Sequence, residues 1–372
     1  MPLLLLLLSL MVGWLSPPPV LSGPVGQSAP IRPDATALAD DLNYAGLAEA
    51  LAESCRYYDR QPEQIYGVCD QRLSATQLSR AYGRLIRHLQ TSDTSTLAAF
   101  LAANFRLCQA TSLLVTGYYS PVLAGSLQPS ATYRFPIYAP PQEAELRRRS
   151  RAEIDASTDL QNYALAYLAD PLDLFFLHVQ GSGILQLPDK SRVLVSYAAD
   201  NGRPYSSIGA LLIRAGKLSR QEVSLATIRA YLSNHPAEQQ EILQHNERYI
   251  FFSLSEPGTG DIQARGSLGL PLTNGRSVAM DDGHYPPGLL GILSSRLPHP
   301  TADNRVERRP FSRLVTHQDS GAAIKGRHRL DLYLGQGDEA GRYAGEMKES
   351  GTFTILIPNL SFQADHSKIQ HR

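Results

Sequence analysis

From about residue 113 the chain becomes a series of short apolar runs, and the turn-forming residues that end them constrain the fold more than any other feature. Leu113 to Tyr119 runs into Pro121, Tyr133 to Tyr138 into Pro140-Pro141, and Leu174 to Gln180 closes on Gly181-Ser182-Gly183. Arg192 to Tyr197 follows the turn at Pro188-Asp189, and further runs fall at 249–254, 277–281, 289–294, 313–319, 330–334 and 352–357. Runs this short, stopped this often, read as strands joined by turns. The 25 prolines and 28 glycines supply the stops, and 18 tyrosines against one tryptophan suit sheets and polar ligand clefts. Two helices interrupt the pattern. One covers Ser207 to Ala215 and is closed by Gly216; the other is capped by Ser219 with Glu222 and turns Leu225, Ile228 and Leu232 one way.

The chain before 113 is helical. Ser74-Ala75-Thr76-Gln77 forms a capping box, after which Leu78, Tyr82, Leu85 and Leu89 share one face; Thr96 to Phe105 gives another short helix. No repeat of solenoid period is present. The expectation is a helical N-terminal section on a mainly β body, with a domain boundary between 120 and 260. Periodicity leaves sandwich and barrel both open.

Lys plus Arg and Asp plus Glu each number 35, so the net charge is zero, which argues against a nucleic-acid clamp. With 43% hydrophobic and 19% charged residues, the chain can bury a sizeable core. Leu3 to Leu8, extended by Leu10, Met11, Val12, Trp14 and Leu15, is shorter than the roughly 20 residues of a membrane span and fits a signal-peptide core over residues 1–22. No Lys or Arg precedes Arg32, so the usual positive n-region of a signal peptide is missing, and no cysteine closely follows the run, so a lipid anchor is not supported. Residues 23–36 read as a linker and the tail beyond Pro358 as polar and frayed. Export would permit a disulfide among Cys55, Cys69 and Cys108. Cys55 with Cys69 is the most local choice, and three buried thiols is an equal alternative.

The common catalytic templates are absent: no G-x-S-x-G, no H-E-x-x-H, no phosphate-loop lysine. Gly335 to Gly341 reads as a turn entering a helix from Glu339, and the ten scattered histidines suggest no metal site. The segment Gln318 to Tyr333 is different. Asp319 ends an apolar strand, and Leu330, Leu332 and Leu334 alternate with Asp331 and Tyr333. If the leucines face the core, Asp331 and Tyr333 point the other way, into a cleft or into water. Two nearby carboxylates would push one pKa up, as a general acid requires. The plain alternative is a turn residue and a solvated strand residue. Thr116-Gly117-Tyr118-Tyr119, Gln180-Gly181-Ser182-Gly183 and Asn201-Gly202-Arg203-Pro204-Tyr205-Ser206 carry the amides, hydroxyls and rings that bind glycans, or are ordinary β-turns.

Taken together, these stretches resemble the membrane-bound lytic murein transglycosylase A family. The resemblance rests on Thr116 to Val122, Tyr133 to Tyr138, Asp173 to Gly183, Tyr205 to Gly209, Gly269 to Thr273, Gly275 to Asp281 and Asp319 to Asp331, in order from about 113 to 357. It implies a double-psi β-barrel with a second β-barrel domain inserted into it and a groove between. The barrel would use 37–122 and 256–360, the insert 123–255, and 361–372 would be tail. The implied reaction is cleavage of the MurNAc–GlcNAc β-1,4 bond of peptidoglycan without water, leaving 1,6-anhydro-MurNAc ends. Asp331 falls on the family's catalytic aspartate and Asp319 on its second aspartate. Thr116, Gly117, Tyr118, Gln180, Gly181, Ser182, Tyr205, Asp281 and Lys325 are the expected substrate contacts. No cofactor or metal is implied. The expected partners are glycan strands and other cell-wall enzymes, not nucleic acid, for a monomer in the periplasm or cell envelope, outer-membrane association included. Two departures stand out: Ala322 replaces the second glycine of the family loop, and the lipoprotein cysteine is missing. A hydrolase using the same cleft and a non-catalytic glycan-binding module are the competing expectations.

Overall fold

The computed structural model describes residues 38–359 apart from 109, 221–222, 260–261, 301–305 and 322. The signal-like run, the 23–36 linker, Glu222, Ala322 and the 361–372 tail lie outside the described residues.

The N-terminal section holds α1 (Leu47–Asp59), a hairpin of β1 (Ile65–Val68) and β2 (Gln71–Ser74), α2 (Ala75–Thr91) and α3 (Leu97–Asn104). The capping box forms: Ser74 Oγ accepts from the Gln77 amide at 3.2 Å, and Gln77 Oε1 from the Ser74 amide at 2.8 Å. Leu78, Tyr82 and Leu85 are fully buried on the face expected of them, with Leu89 packed at its edge. The section is bolted to the rest of the chain by polar side chains. Arg276, fully buried, donates to both oxygens of Asp40, equally buried, and to the carbonyls of Ala45 and Leu314. Burial alone would raise the Asp40 pKa, but its bonds to Arg276 and the Leu314 amide hold it below the usual carboxylate value.

The disulfide joins Cys69 to Cys108, with Cα atoms 6.3 Å apart, and Cys55 is free. The most local pairing fails because Cys55 sits on α1 and turns its thiol toward α2, onto the Ser79 carbonyl. Cys69 occupies the β1–β2 turn and meets the chain just after β3 (Phe105–Leu107).

β4 (Thr111–Ser120) then leads out of the first sheet into a second one. Its elements are β5 (Val122–Ser126), β6 (Phe135–Tyr138), α4 (Ala144–Arg147), α5 (Arg151–Asp155), β7 (Ala164–Leu168), α6 (Pro171–Gln180), β8 (Ser182–Gln186), β9 (Arg192–Asp200), α7 (Ile208–Arg214), α8 (Leu225–Asn234), α9 (Pro236–Gln244) and β10 (Ile250–Leu254). The sheet runs β10-β9-β8-β5-β7-β6, and its two end strands curl toward each other. Two expectations are corrected here. Leu174 to Gln180 is the helix α6, not a strand. The Asp170 side chain caps the Leu172 amide at 2.8 Å, Pro171 opens the first turn, and Gly181 closes it at φ 78°. Leu172, Leu174, Phe175, Phe176 and Leu177 are all buried, so the run carries no helical period to read. The cap of α8 is Ser224 with Thr227, further along than Ser219, though Leu225, Ile228 and Leu232 do share one apolar cluster.

The chain returns through β11 (Ser277–Ala279), β12 (Leu290–Pro300), β13 (Val306–Asp319), β14 (Arg329–Gln336), α10 (Gly337–Glu346) and β15 (Lys348–Pro358). The order β12-β13-β11-β14-β4-β15 closes because β15 pairs back onto β12, giving a six-stranded barrel with β3 added at its edge. Two pairs are parallel, β11 with β13 and β14 with β4, as a double-psi barrel requires. Gly117 lets α10 lie on β4, since a Cβ there would stand 2.9 Å from the Ala344 backbone. No helix among the described residues is long and apolar enough to cross a membrane.

Candidate active site

The strand register builds the site. Leu330 and Leu332 are fully buried in the main core, so Asp331 between them turns outward. Asp331 registers with Ala279 on one side and Thr116 on the other, and Ala279 registers in turn with Asp319. The two aspartates thus stand in one cross-strand row, two strand spacings or about 10 Å apart.

Their surroundings differ. Asp331 is held by side chains: it accepts a short hydrogen bond from the Thr116 hydroxyl and a long one, 3.4 Å, from Arg329 Nη2. Its side chain keeps 17% exposure, enough for a ligand to reach it. Burial pushes its pKa above the usual carboxylate value, opposed by the Thr116 hydrogen bond and the Arg329 charge. Desolvation, rather than repulsion from the Asp319 carboxylate, raises it. Asp319 is held by backbone: the amides of Ser267 and Ser320 both donate to its Oδ1, at 2.8 and 2.9 Å. Burial raises its pKa too, against those two hydrogen bonds. The Tyr118 ring lies against it and packs on Tyr333 at 5.2 Å between centroids. Burial and the Asp319 carboxylate push the Tyr118 phenol well up, and its hydroxyl has no hydrogen bond of ordinary geometry among the described residues.

Of the residues singled out from sequence, Thr116, Tyr118, Asp319 and Asp331 converge. Asp281 follows Ala279, the residue between the two aspartates, by two positions, and its Oδ2 accepts from the Gly326 amide at 2.6 Å, bracing the loop that carries Lys325. Gly117 serves packing. Gln180 and Gly181 end α6, Ser182 starts β8, and Tyr205 precedes α7, all in the second-sheet part of the chain. Among the described residues no hydrogen bond joins them to either aspartate. Asn201 is structural, its amide donating to the carbonyls of Arg149 and Glu247. Sequence reasoning missed Arg329, which its position two residues before Asp331 on one strand could have revealed. It also missed the Gly266-Ser267 backbone, where a Cβ on Gly266 would lie 2.4 Å from the Gln318 carbonyl. A cavity of about 550 Å³ between α5, α6 and α9 contains neither aspartate.

A closed barrel split by a second sheet, with a buried acid on its outer face, defines the class as barrel-and-insert proteins. Matching family models cover both parts: an MltA specific insert domain over residues 114–253 and a 3D domain over 276–357. Membrane-bound lytic murein transglycosylase A of Vibrio cholerae is 34% identical over 269 residues, 71% of each chain. That of Escherichia coli K12 is 35% identical over 244 residues, 65% of this chain and 64% of the relative's length, so the match spans just under two thirds of that protein. The crystal structure of E. coli MltA with bound chitohexaose superposes with TM-score 0.71 at 29% identity, covering 89% of this chain and 94% of that one. A membrane-bound lytic murein transglycosylase from Agrobacterium tumefaciens gives 0.73 at 26%, covering 90% and 99%. The chain belongs to the membrane-bound lytic murein transglycosylase A family.

Proposed function

We propose that this protein is a cell-envelope lytic transglycosylase that cleaves the MurNAc–GlcNAc β-1,4 bond of peptidoglycan and leaves 1,6-anhydro-MurNAc ends, with Asp331 as the single acid and base. The observation that carries the reading is the double environment of Asp331. Burial favours its protonated form, while Thr116 and Arg329 stabilise the carboxylate it becomes.

The steps follow from that balance. Protonated Asp331 gives its proton to the glycosidic oxygen as the C1–O bond breaks. The resulting carboxylate takes the proton of the C6 hydroxyl, whose oxygen closes on C1. Because the nucleophile is tethered to the reacting ring, effective molarities of roughly 10⁵ M or more are available and no water need be placed. A hydrolase would need a second carboxylate free to act as base or nucleophile. Asp319 is a poor candidate, since its Oδ1 is occupied by two backbone amides. Its part is to shape the field beside Tyr118. The names of the relatives and the chitohexaose bound to the E. coli protein support a glycan substrate.

The test is digestion of purified sacculi followed by product masses. Ends lighter by one water than reducing ends are expected; reducing ends alone would make the protein a hydrolase, and binding without products would make it a glycan-binding module.

A further inference from the structure

Beside the acid pair, on the same outer face of the barrel, lies a surface that no step above uses. β15 pairs with β4 so that Lys348 stands opposite Thr116, Ser350 opposite Leu114 and Thr352 opposite Ser112, and Ser294 of β12 continues the last row opposite Thr352. Directly opposed residues share a face, and alternate residues along a strand keep to it. The face of Asp331 therefore continues from Lys348 past Ser350 to the hydroxyl row Ser112, Thr352 and Ser294. With His328 these serines and Thr352 line an open trough of about 710 Å³. Lys348, Ser350, Thr352 and Ser112 are exposed. Lys348 has no hydrogen-bond or ion-pair partner among the described residues, and Arg329 Nε, in the Leu114–Ser350 row, is buried without an acceptor.

We propose that this trough binds the peptide stem carried by the glycan strand, Lys348 taking a stem carboxylate and the hydroxyls taking stem amides; the inference rests on the peptidoglycan reading above. Two features favour a peptide over a further sugar. The trough has no Tyr, Phe or Trp in its lining to cover a sugar ring. The distance from Lys348 also fits. From its row, opposite Thr116, to the Ser112–Thr352 row in the trough is about 13 Å along β4 at roughly 3.3 Å per residue, the reach of an extended peptide of about four residues. Lys348 stands two strand spacings, about 10 Å, from Asp331, so a carboxylate held there leaves the reacting sugar free to meet the acid.

The experiment measures binding with the full chain carrying Asp331→Asn, so that substrate is not consumed. Glycan strands bearing tetrapeptide stems are compared with the same strands stripped by an amidase. Stem-bearing strands are expected to bind about tenfold more tightly. Lys348→Gln is expected to remove about threefold of that, the scale of an exposed ion pair, and the loss is expected to shrink as salt is raised. Ser350→Ala with Thr352→Ala is expected to remove a further part, while affinity for stripped strands stays within twofold. Equal affinity for the two substrates, or a preference that survives both variants, overturns the proposal. If the wild-type protein makes no anhydro ends, the lyase reading fails, and the binding comparison still decides the trough.

Discussion

Asp319 and Asp331 occupy the two ends of one short row across the barrel, are both raised by burial, and are nevertheless held in opposite ways. Asp319 is gripped by two main-chain amides contributed by different loops, one at the exposed Ser267 and one at the half-buried Ser320. Asp331 is met by a hydroxyl and a guanidinium on neighbouring strand positions, partners that can follow a proton off and back on. The lesson is that a raised carboxyl pKa does not by itself mark a catalytic acid. What separates the two is the kind of donor around each.

The contrast can be broken most decisively at Asp331. Asp331→Asn is expected to lower turnover by at least roughly 10³-fold, within the range of general acid–base contributions. Its melting temperature is expected to hold or rise at neutral pH, since an uncharged amide replaces a buried carboxyl. Equal activity of the variant and the wild type in a sacculus-clearing assay would break the comparison.

Asp319→Ala should act through the fold. Two backbone amides, one exposed at Ser267 and one half-buried at Ser320, lose their acceptor, at about 1 kcal/mol in stability together with a tenfold or smaller loss of turnover. Denaturant titration reads the first and the clearing assay the second. A stable Asp319→Ala protein that is as dead as Asp331→Asn would reverse the assignments.

Thr116→Val should cost about tenfold in turnover, because the carboxylate formed in the first step loses a donor. Arg329→Gln tests the same balance through pH. Arg329 lowers the Asp331 pKa, so its loss should move the alkaline limb of the rate profile to higher pH. The linkage to stability has a matching sign. A folded pKa above the ordinary 3.8 means that the contribution of Asp331 is fully present below that value and is lost as pH rises through the raised one. In Asp331→Asn that slope should disappear from the pH dependence of melting.

How far the sequence could be read follows the same division between side chain and backbone. Asp331 and Thr116 were legible because strand alternation fixes which way a side chain points, and Leu330 and Leu332 mark the inner face. The α2 helix was legible because its cap and its face are both local. The cage of Asp319 was not, since it is made of amides from residues 267 and 320, which carry no side-chain signature. Helix α6 was hidden by apolar residues on nearly every side, and the Cys69–Cys108 bridge by a fold that brings a hairpin turn to a strand end 39 residues away. The pairing of Arg276 with Asp40 spans 236 positions, and nothing local in either segment announces it. Gln180, Gly181, Ser182 and Tyr205 were chosen for their chemistry and for the resemblance, and they fall at the end of α6, the start of β8 and the approach to α7, where no strand register ties them to the aspartates.

The most direct measurement is the yield of 1,6-anhydro ends from purified sacculi, with wild type, Asp331→Asn and Asp319→Asn assayed side by side and each checked for folding. Asp319→Asn keeps an oxygen for its two amides and should still release anhydro products at a reduced rate, while Asp331→Asn should release none. Anhydro ends from the Asp331→Asn protein, or their loss only when position 319 is changed, would contradict the account.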